Sequence, residues 1–291
     1  MGLRTKLNML LVLVALLGAA AFAAVSAPFL QKLAKDEVIQ SSRIMMEAAV
    51  GARTYTSQQV APLVETDMAT TFHPQAVSAY AATKSFAALH AKFPDYSYRE
   101  VALNPTNLED RPADWEADIV QYFRANPTAA EEIHERSTVR GPVLNLALPI
   151  TVKQPCLVCH DTPQAAPASM TAAYGAQNGF GWKLNEIVGA QILTVPMSVA
   201  YDRAMQIGLL FLALYVGVFV LLAIVLNLSL GAMVIGPVMK MARVAEDVSL
   251  GKMDAPEYVR KGKDQIAVLS ASFNRMRRSL EEALRMLSGS R

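Results

Sequence analysis

Residues 207–236 read IGLLFLALYVGVFVLLAIVLNLSLGAMVIG, without a single charge. Roughly 20 consecutive apolar residues suffice to cross a bilayer as a helix. This run exceeds that length, and so long an apolar run is a poor fit to a core helix of a soluble protein. A second uncharged run, LNMLLVLVALLGAAAFAAVSAPFL, covers Leu7–Leu30. It contains AFAAVSA, which resembles a signal-peptide cleavage site. It is nevertheless longer than the ~7–15-residue apolar core of a secretory signal, and it reads as a retained anchor. The chain has 291 residues and a formal charge of +2, too close to balance to point to nucleic acid.

Basic residues orient the two spans. Arg4 and Lys6 precede the first, and Lys240, Arg243, Lys252, Arg260, Lys261 and Lys263 follow the second. Both ends are therefore expected in the cytoplasm of a bacterial cell, with the intervening region in the periplasm and the protein in the inner membrane. Lys32 and Lys35 weaken the asymmetry, but Asp36 and Glu37 stand beside them. The expected organisation is a cytoplasmic N-terminus (1–6), a first transmembrane helix (7–30), an extracytoplasmic domain (31–206), a second transmembrane helix (207–228), a linker domain (229–286) and a tail (287–291).

Beyond the first span, Val38, Ile39, Ser42, Met45, Met46, Ala49 and Ala52 repeat every three or four positions, which predicts a long helix from Gln31 to about Thr70. Residues 74–92 predict another helix, opened by Pro74. PDYSYREVALN predicts a strand, NPTNLEDRP a loop, and ADWEADIVQYFRAN a helix with Trp115, Ile119 and Phe123 inward. VLNLALPITV and IVGAQILTVPM predict two further strands. The fold class is α+β.

Within that region lies QPCLVCHD (154–161), which holds both cysteines of the chain, Cys156 and Cys159, followed by His160. Four chemistries share the pattern. A disulfide suits an oxidising compartment but leaves His160 without a role. Zinc takes four ligands, and only three stand together here. A thioredoxin-like pair needs a helix after it, and DTPQAAPAS is a poor one. C-x-x-C-H is also the attachment signature of c-type haem. In that case two thiols three positions apart add to the two vinyl groups, and the adjacent imidazole becomes an axial iron ligand. No nucleophile–base pattern or phosphate loop is found, so an enzyme is not expected.

After the second span, Gly236-Pro237 predicts a kink or restart. Val238, Met241, Val244, Ala245 and Val248 form one apolar stripe, stopped by Gly251. Ile266, Leu269, Phe273, Met276, Leu280, Leu284 and Leu287 form a second, near heptad spacing. Pro237, Gly251 and DQIAVLSASFNRM (264–276) together resemble a HAMP linker, with Gln265 where that family more often has Glu. The resemblance covers roughly residues 229–286. It implies a homodimer, with two chains pairing into a parallel four-helix coiled coil.

RTYTSQQVAP (53–62), FPDYSYREVALNPTNLEDRPADWE (93–116), PCLVCH (155–160) and YGAQNGFGWKLNEIVGAQILTVP (174–196) are similar to a family of periplasmic c-type haem sensor domains with a PAS-like fold, first typified by a cyanobacterial protein. The resemblance implies one covalent haem c per chain, held by Cys156 and Cys159, with His160 as proximal iron ligand. A cysteine on the long helix serves as the second axial ligand in the cyanobacterial type, and no third cysteine exists here. Met45 or Met46 is the expected substitute, since a thioether is an ordinary second ligand. His73, His90 and His134 are alternatives, and an open site would suit a gas sensor. The expected function is a transmembrane receptor that senses redox state, NO or CO and relays it to a separate cytoplasmic kinase or cyclase. The alternative is a membrane-anchored c-type cytochrome that carries electrons.

Overall fold

The structure is a computed structural model and describes residues 2–252 and 256–289. The side chains of Leu284 and Leu287, and the tail residues Ser290 and Arg291, lie outside the described residues. The chain divides into two compact units, Val25–Gly208 and Met1–Ala24 with Leu209–Arg291.

The first helix, α1 (Leu3–Tyr55), carries the first apolar run and continues into the unit 25–208. Ala34, Val38, Ser42, Met46 and Ala49 form its buried stripe. Ser42 sits on that stripe because its hydroxyl donates back to the Val38 carbonyl at 2.7 Å. The helix ends earlier than the periodicity predicts. A π-helical turn (Thr56–Val60) and a single α turn, α2 (Ala61–Val64, with Pro62 in its first turn), follow α1. A short 3-10 turn at Pro74–Ala76 then leads into α3 (Ser78–Lys92).

Strand β1 (Ser97–Ala102), helix α4 (Asp114–Ala125), strands β2 (Glu132–Thr138) and β3 (Gly141–Thr151), the short helices α5 (Leu157–His160) and α6 (Ala168–Tyr174), and strand β4 (Ile187–Pro196) complete the unit. The sheet is antiparallel in the order β1-β4-β3-β2. The prediction of an α+β fold holds, but β2 is an addition. EIHERST has charged residues on both faces, as an edge strand that avoids further pairing commonly does.

The two sheet faces bury different partners. On one, Tyr98, Leu144, Leu146, Leu193 and Val195 meet Val38, Met46 and Ala49 of α1 and Ala82 of α3. On the other, Val101, Ala147, Ala190 and Ile192 meet Ile119, Val120 and Phe123 of α4. Trp115 packs only at the edge of that second cluster.

In the other unit, the N-terminal part of α1 runs beside α7 (Ser198–Leu230). The Tyr215 hydroxyl donates to the Ala15 carbonyl at 3.1 Å, and the Asn227 amide donates to Asn8 Oδ1 at 2.7 Å. Polar ties of this kind are favoured where no water competes. Most of the remaining side chains here are apolar and face outward, among them Leu16, Leu17, Leu210 and Leu221. Among the described residues, two helical stretches are long and apolar enough to cross a membrane, Arg4–Val64 and Ser198–Ser249.

The kink or restart expected at Gly236-Pro237 falls where a π-helical turn gives way to a new α-helical segment. That turn (Gly231–Ile235) joins α7 to α8 (Gly236–Ser249). Pro237 cannot donate to Met233, four residues earlier. Arg260 donates to that freed carbonyl instead, at 2.9 Å, and its guanidinium also holds Asp264 at 2.8 Å. Helix α9 (Gln265–Gly289) follows and turns Ala267, Ser270, Asn274 and Arg277 inward. Ser270 and Asn274 both donate to the Tyr258 carbonyl of the connector.

Candidate functional site

Strand β3 ends at Thr151, and Val152 is clamped by the start of β4. The Val152 N–H donates to the Glu186 carbonyl at 2.8 Å, and the Asn185 N–H donates to the Val152 carbonyl at 2.9 Å. The chain then turns through Gln154–Cys156 into α5, so CLVCH forms one compact helical turn. Cys156 and Cys159 are three positions apart on it, the spacing that puts two side chains on one helix face. Both thiols are free. Burial, reinforced by Cys156, pushes the Cys159 thiol up. That favours the protonated thiol at Cys159. Among the described residues, no group of three His, Cys, Asp or Glu side chains converges as a metal cluster would require.

His160 is fixed from three sides. Its Nδ1 lies 2.8 Å from the Gly179 carbonyl. A carbonyl only accepts, so Nδ1 carries the proton and Nε2 keeps its lone pair. The Thr106 hydroxyl lies 3.4 Å from the same Nδ1. The imidazole stacks on the indole of Trp182, with centroids 3.9 Å apart and planes inclined by 14°. Burial holds the imidazole below its ordinary pKa, against the opposing pull of the Gly179 carbonyl. A neutral ring with its far nitrogen unprotonated is the state a metal ligand needs.

The loop that supplies these contacts is YGAQNGFGW. Gly179 has φ +85°, and a Cβ there would collide with the hydroxyl and Cα of Thr106. The Gly179 N–H donates to Asn104 Oδ1 at 3.1 Å, and the Asn104 amide donates to the Phe180 carbonyl at 3.3 Å. The backbones of His160 and Asp161 accept from Trp182 and Gly181. NPT (104–106) and NGFGW (178–182) are thus a two-part cradle for His160. In the sequence their glycines and asparagines mark turns, and no local signal ties them to His160.

The residues expected opposite His160 are dispersed. Met46 is wholly buried among Tyr98, Leu144, Leu146 and Leu193, and Met45 packs at the edge of that cluster. Leu146 lies midway along β3, six residues before Val152, so Met46 packs against the middle of the sheet. Its thioether fills core, as methionines on amphipathic helices do. His90 Nδ1 lies 2.7 Å from the Tyr96 carbonyl, before the start of β1, and His134 is exposed on edge strand β2. His73 Nε2 lies 2.6 Å from Asp67 Oδ2. Its segment is tied to α6 by the Phe72–Tyr174 contact and by the hydrogen bond from Ser169 to the Met68 carbonyl.

The cradle and the thiol pair lie within residues 31–196, which match the Tll0287-like family. The match covers more than half of the chain, and the chain belongs to that family. Among solved structures, the crystal structure of the cyanobacterial haem-protein Tll0287 is similar, at 18% identity, a TM-score of 0.40, and coverage of 52% of this chain and 94% of its own. No curated protein matches the chain.

Proposed function

We propose that the protein is a two-pass membrane receptor whose extracytoplasmic domain carries a covalent c-type haem. The observation that carries this reading is the state of His160. Its Nδ1 proton is committed to Gly179, and His160 directly follows two free thiols carried on one turn, in a chain of the Tll0287-like family. Tll0287 is itself a haem-protein. Val158 and Leu184, near the motif, are exposed apolar side chains that an apolar macrocycle would cover. The residues present therefore fit the group. Cys156 and Cys159 would hold it as thioethers, and His160 would offer Nε2 to its iron. The bound iron would supply a centre whose redox or ligand state can change. Trp182, Gly179 and Thr106 set the ring plane and keep the proton on Nδ1.

The sheet order, with α1 on one face and α4 on the other, supports the PAS-like reading. Helix α1 runs from the first apolar segment into the domain core, and β4 ends two residues before α7 begins. Both elements are placed to carry a small displacement towards the membrane. The stripes of α8 and α9, with Leu269, Met276 and Leu280 left exposed in one chain, support a HAMP-like linker completed by a second copy. A separate kinase or cyclase would receive the output on the cytoplasmic side.

The test is expression with a cytochrome c maturation system, followed by haem staining of a denaturing gel. The wild type should stain, and Cys156→Ser/Cys159→Ser should not. An unstained wild type would sink the proposal. Addition of NO or CO to the reduced protein, read by its absorbance, separates the receptor from the electron carrier. A spectrum insensitive to both gases, together with rapid electron exchange with a soluble partner, would favour the carrier.

A further inference from the structure

The sheet face that packs against α4 is not filled along its whole length. Beyond Ile119, Val120 and Phe123, a cavity of about 210 Å³ opens between the start of α4, β1, β4 and β2. It is lined by Arg99, Trp115, Glu116, Arg136, Ile192 and Thr194, with Ser97 and Ala113 at its margin. Strand register explains the grouping. Ser97 pairs with Thr194, Arg99 with Ile192, and Arg136 with Val143, all on one face of the sheet.

The charges in this cavity are not balanced. Glu116 is buried, and its Oε2 accepts from the Ala113 N–H at 2.8 Å. Its Oε1 lies 3.4 Å from Arg99 Nε, and Arg99 also donates to the Arg111 carbonyl at 3.0 Å. One carboxylate and one guanidinium thus compensate each other. Arg136 is left over. Its guanidinium lies over the Trp115 ring, with Cζ 4.1 Å from the centroid. Its Nε is buried and has no hydrogen-bond partner among the described residues. A buried donor left unpaired is costly, and native structures rarely keep one without a use. The Arg136 side chain lines the cavity, and a guanidinium receives a carboxylate through its fork of N–H groups.

We infer that the cavity is a second ligand site, for a small organic carboxylate held by Arg136. A water takes about 30 Å³ of liquid, so the space admits a molecule of only a few carbon atoms. Trp115, Ile192 and Ala113 offer it an apolar wall, and the Ser97 and Thr194 hydroxyls offer a polar one. Thr194 already donates to Asn145 Oδ1 at 2.8 Å and retains its lone pairs for the ligand. Ile192 and Thr194 belong to the strand that leads into α7, so occupancy bears on the element joined to the second apolar helix. The site owes nothing to Cys156, Cys159 or His160, and the inference stands apart from the haem reading.

The experiment is titration calorimetry on the full chain in lipid nanodiscs, with acetate, pyruvate and lactate as separate probes and inorganic phosphate as the contrasting anion. At least one carboxylate should saturate the wild type. Arg136→Gln should weaken it about tenfold or more. Arg136→Lys, which keeps the charge and the stem but loses the fork, should also weaken it, and it serves if Arg136→Gln fails to fold. Cys156→Ser/Cys159→Ser should bind as the wild type does. Saturation by none of the three carboxylates, preference for phosphate, or undiminished binding by Arg136→Lys overturns the assignment.

Discussion

The imidazole of His160 and the indole of Trp182 lie face to face, with centroids 3.9 Å apart and planes 14° from parallel. The backbone reinforces the pair, since the Trp182 N–H donates to the His160 carbonyl at 3.2 Å. Two residues far apart in the chain are thereby held as one unit. Trp182→Ala should lower stability by about 2 kcal/mol, through lost burial and stacking. Trp182→Phe, which keeps a ring, should cost about half of that. Thermal unfolding followed by circular dichroism measures both. In haem-loaded protein the alanine variant should also shift the absorbance bands, and the phenylalanine variant should shift them less.

Two glycines of the same loop should respond differently. Gly179 and Gly181 both have positive φ, +85° and +78°. A Cβ at Gly181 meets open space, whereas at Gly179 it strikes Thr106. Gly181→Ala should therefore cost only the backbone strain, about 1 kcal/mol. Gly179→Ala adds a clash with fixed backbone and should cost about 3 kcal/mol in all. Equal melting temperatures for the two variants would contradict the cradle described here.

Arg53 of α1 forms an ion pair with Glu100 of β1, which is 7% exposed. Tyr98 donates to the same carboxylate at 2.7 Å, and its phenol oxygen lies 3.0 Å from Gln191 Oε1. Burial and the neighbouring Glu100 keep the Tyr98 phenol protonated far above the usual range. Arg53→Met leaves a buried carboxylate without its cation and should destabilise by about 3 kcal/mol. Adding Glu100→Gln should recover more than half of the loss. Denaturant titration of the two single variants and the double variant gives the coupling directly.

Asp110 carries a pH dependence with a definite sign. Burial, followed by the charge of Glu100, pushes its carboxyl up to about 6 from an ordinary 3.8. The unfolded chain loses this proton first, so stability falls as the pH rises from about 4 to above 6. Allowing for solvent screening at a half-buried site, the full penalty is about 1 kcal/mol. Asp110→Asn should match the wild type at pH 4 and exceed it at pH 8. Parallel melting curves at the two pH values check this, and a gap that narrows with rising pH would reverse the sign.

Much of the fold was legible because its signals are local. Thirty residues without a charge mark α7, and a stripe at three- and four-residue spacing marks the buried face of α1. β2 escaped notice because an edge strand exposed to water need not alternate, and EIHERST does not. The kink or restart expected at Pro237 follows from a missing N–H, and α8 does begin at Gly236 after a π turn. That π turn and Arg260, which stands 27 residues from Met233, remove the cost of the missing N–H, and neither is a local property of the dipeptide.

The site divides in the same way. By itself the sequence determined the thiol spacing, the adjacent histidine, the two apolar segments and the basic residues that flank them, because each depends on neighbours in the chain. The tertiary structure alone decided that Nδ1 of His160 meets Gly179, that Trp182 covers the ring, and that Met46 is buried in the core between α1 and the sheet. It also left the Arg136 guanidinium over the Trp115 ring beside an open cavity. Those outcomes depend on strand register and on which helix covers which face. Both are settled by packing between segments remote in sequence, where no periodicity of a single segment can speak.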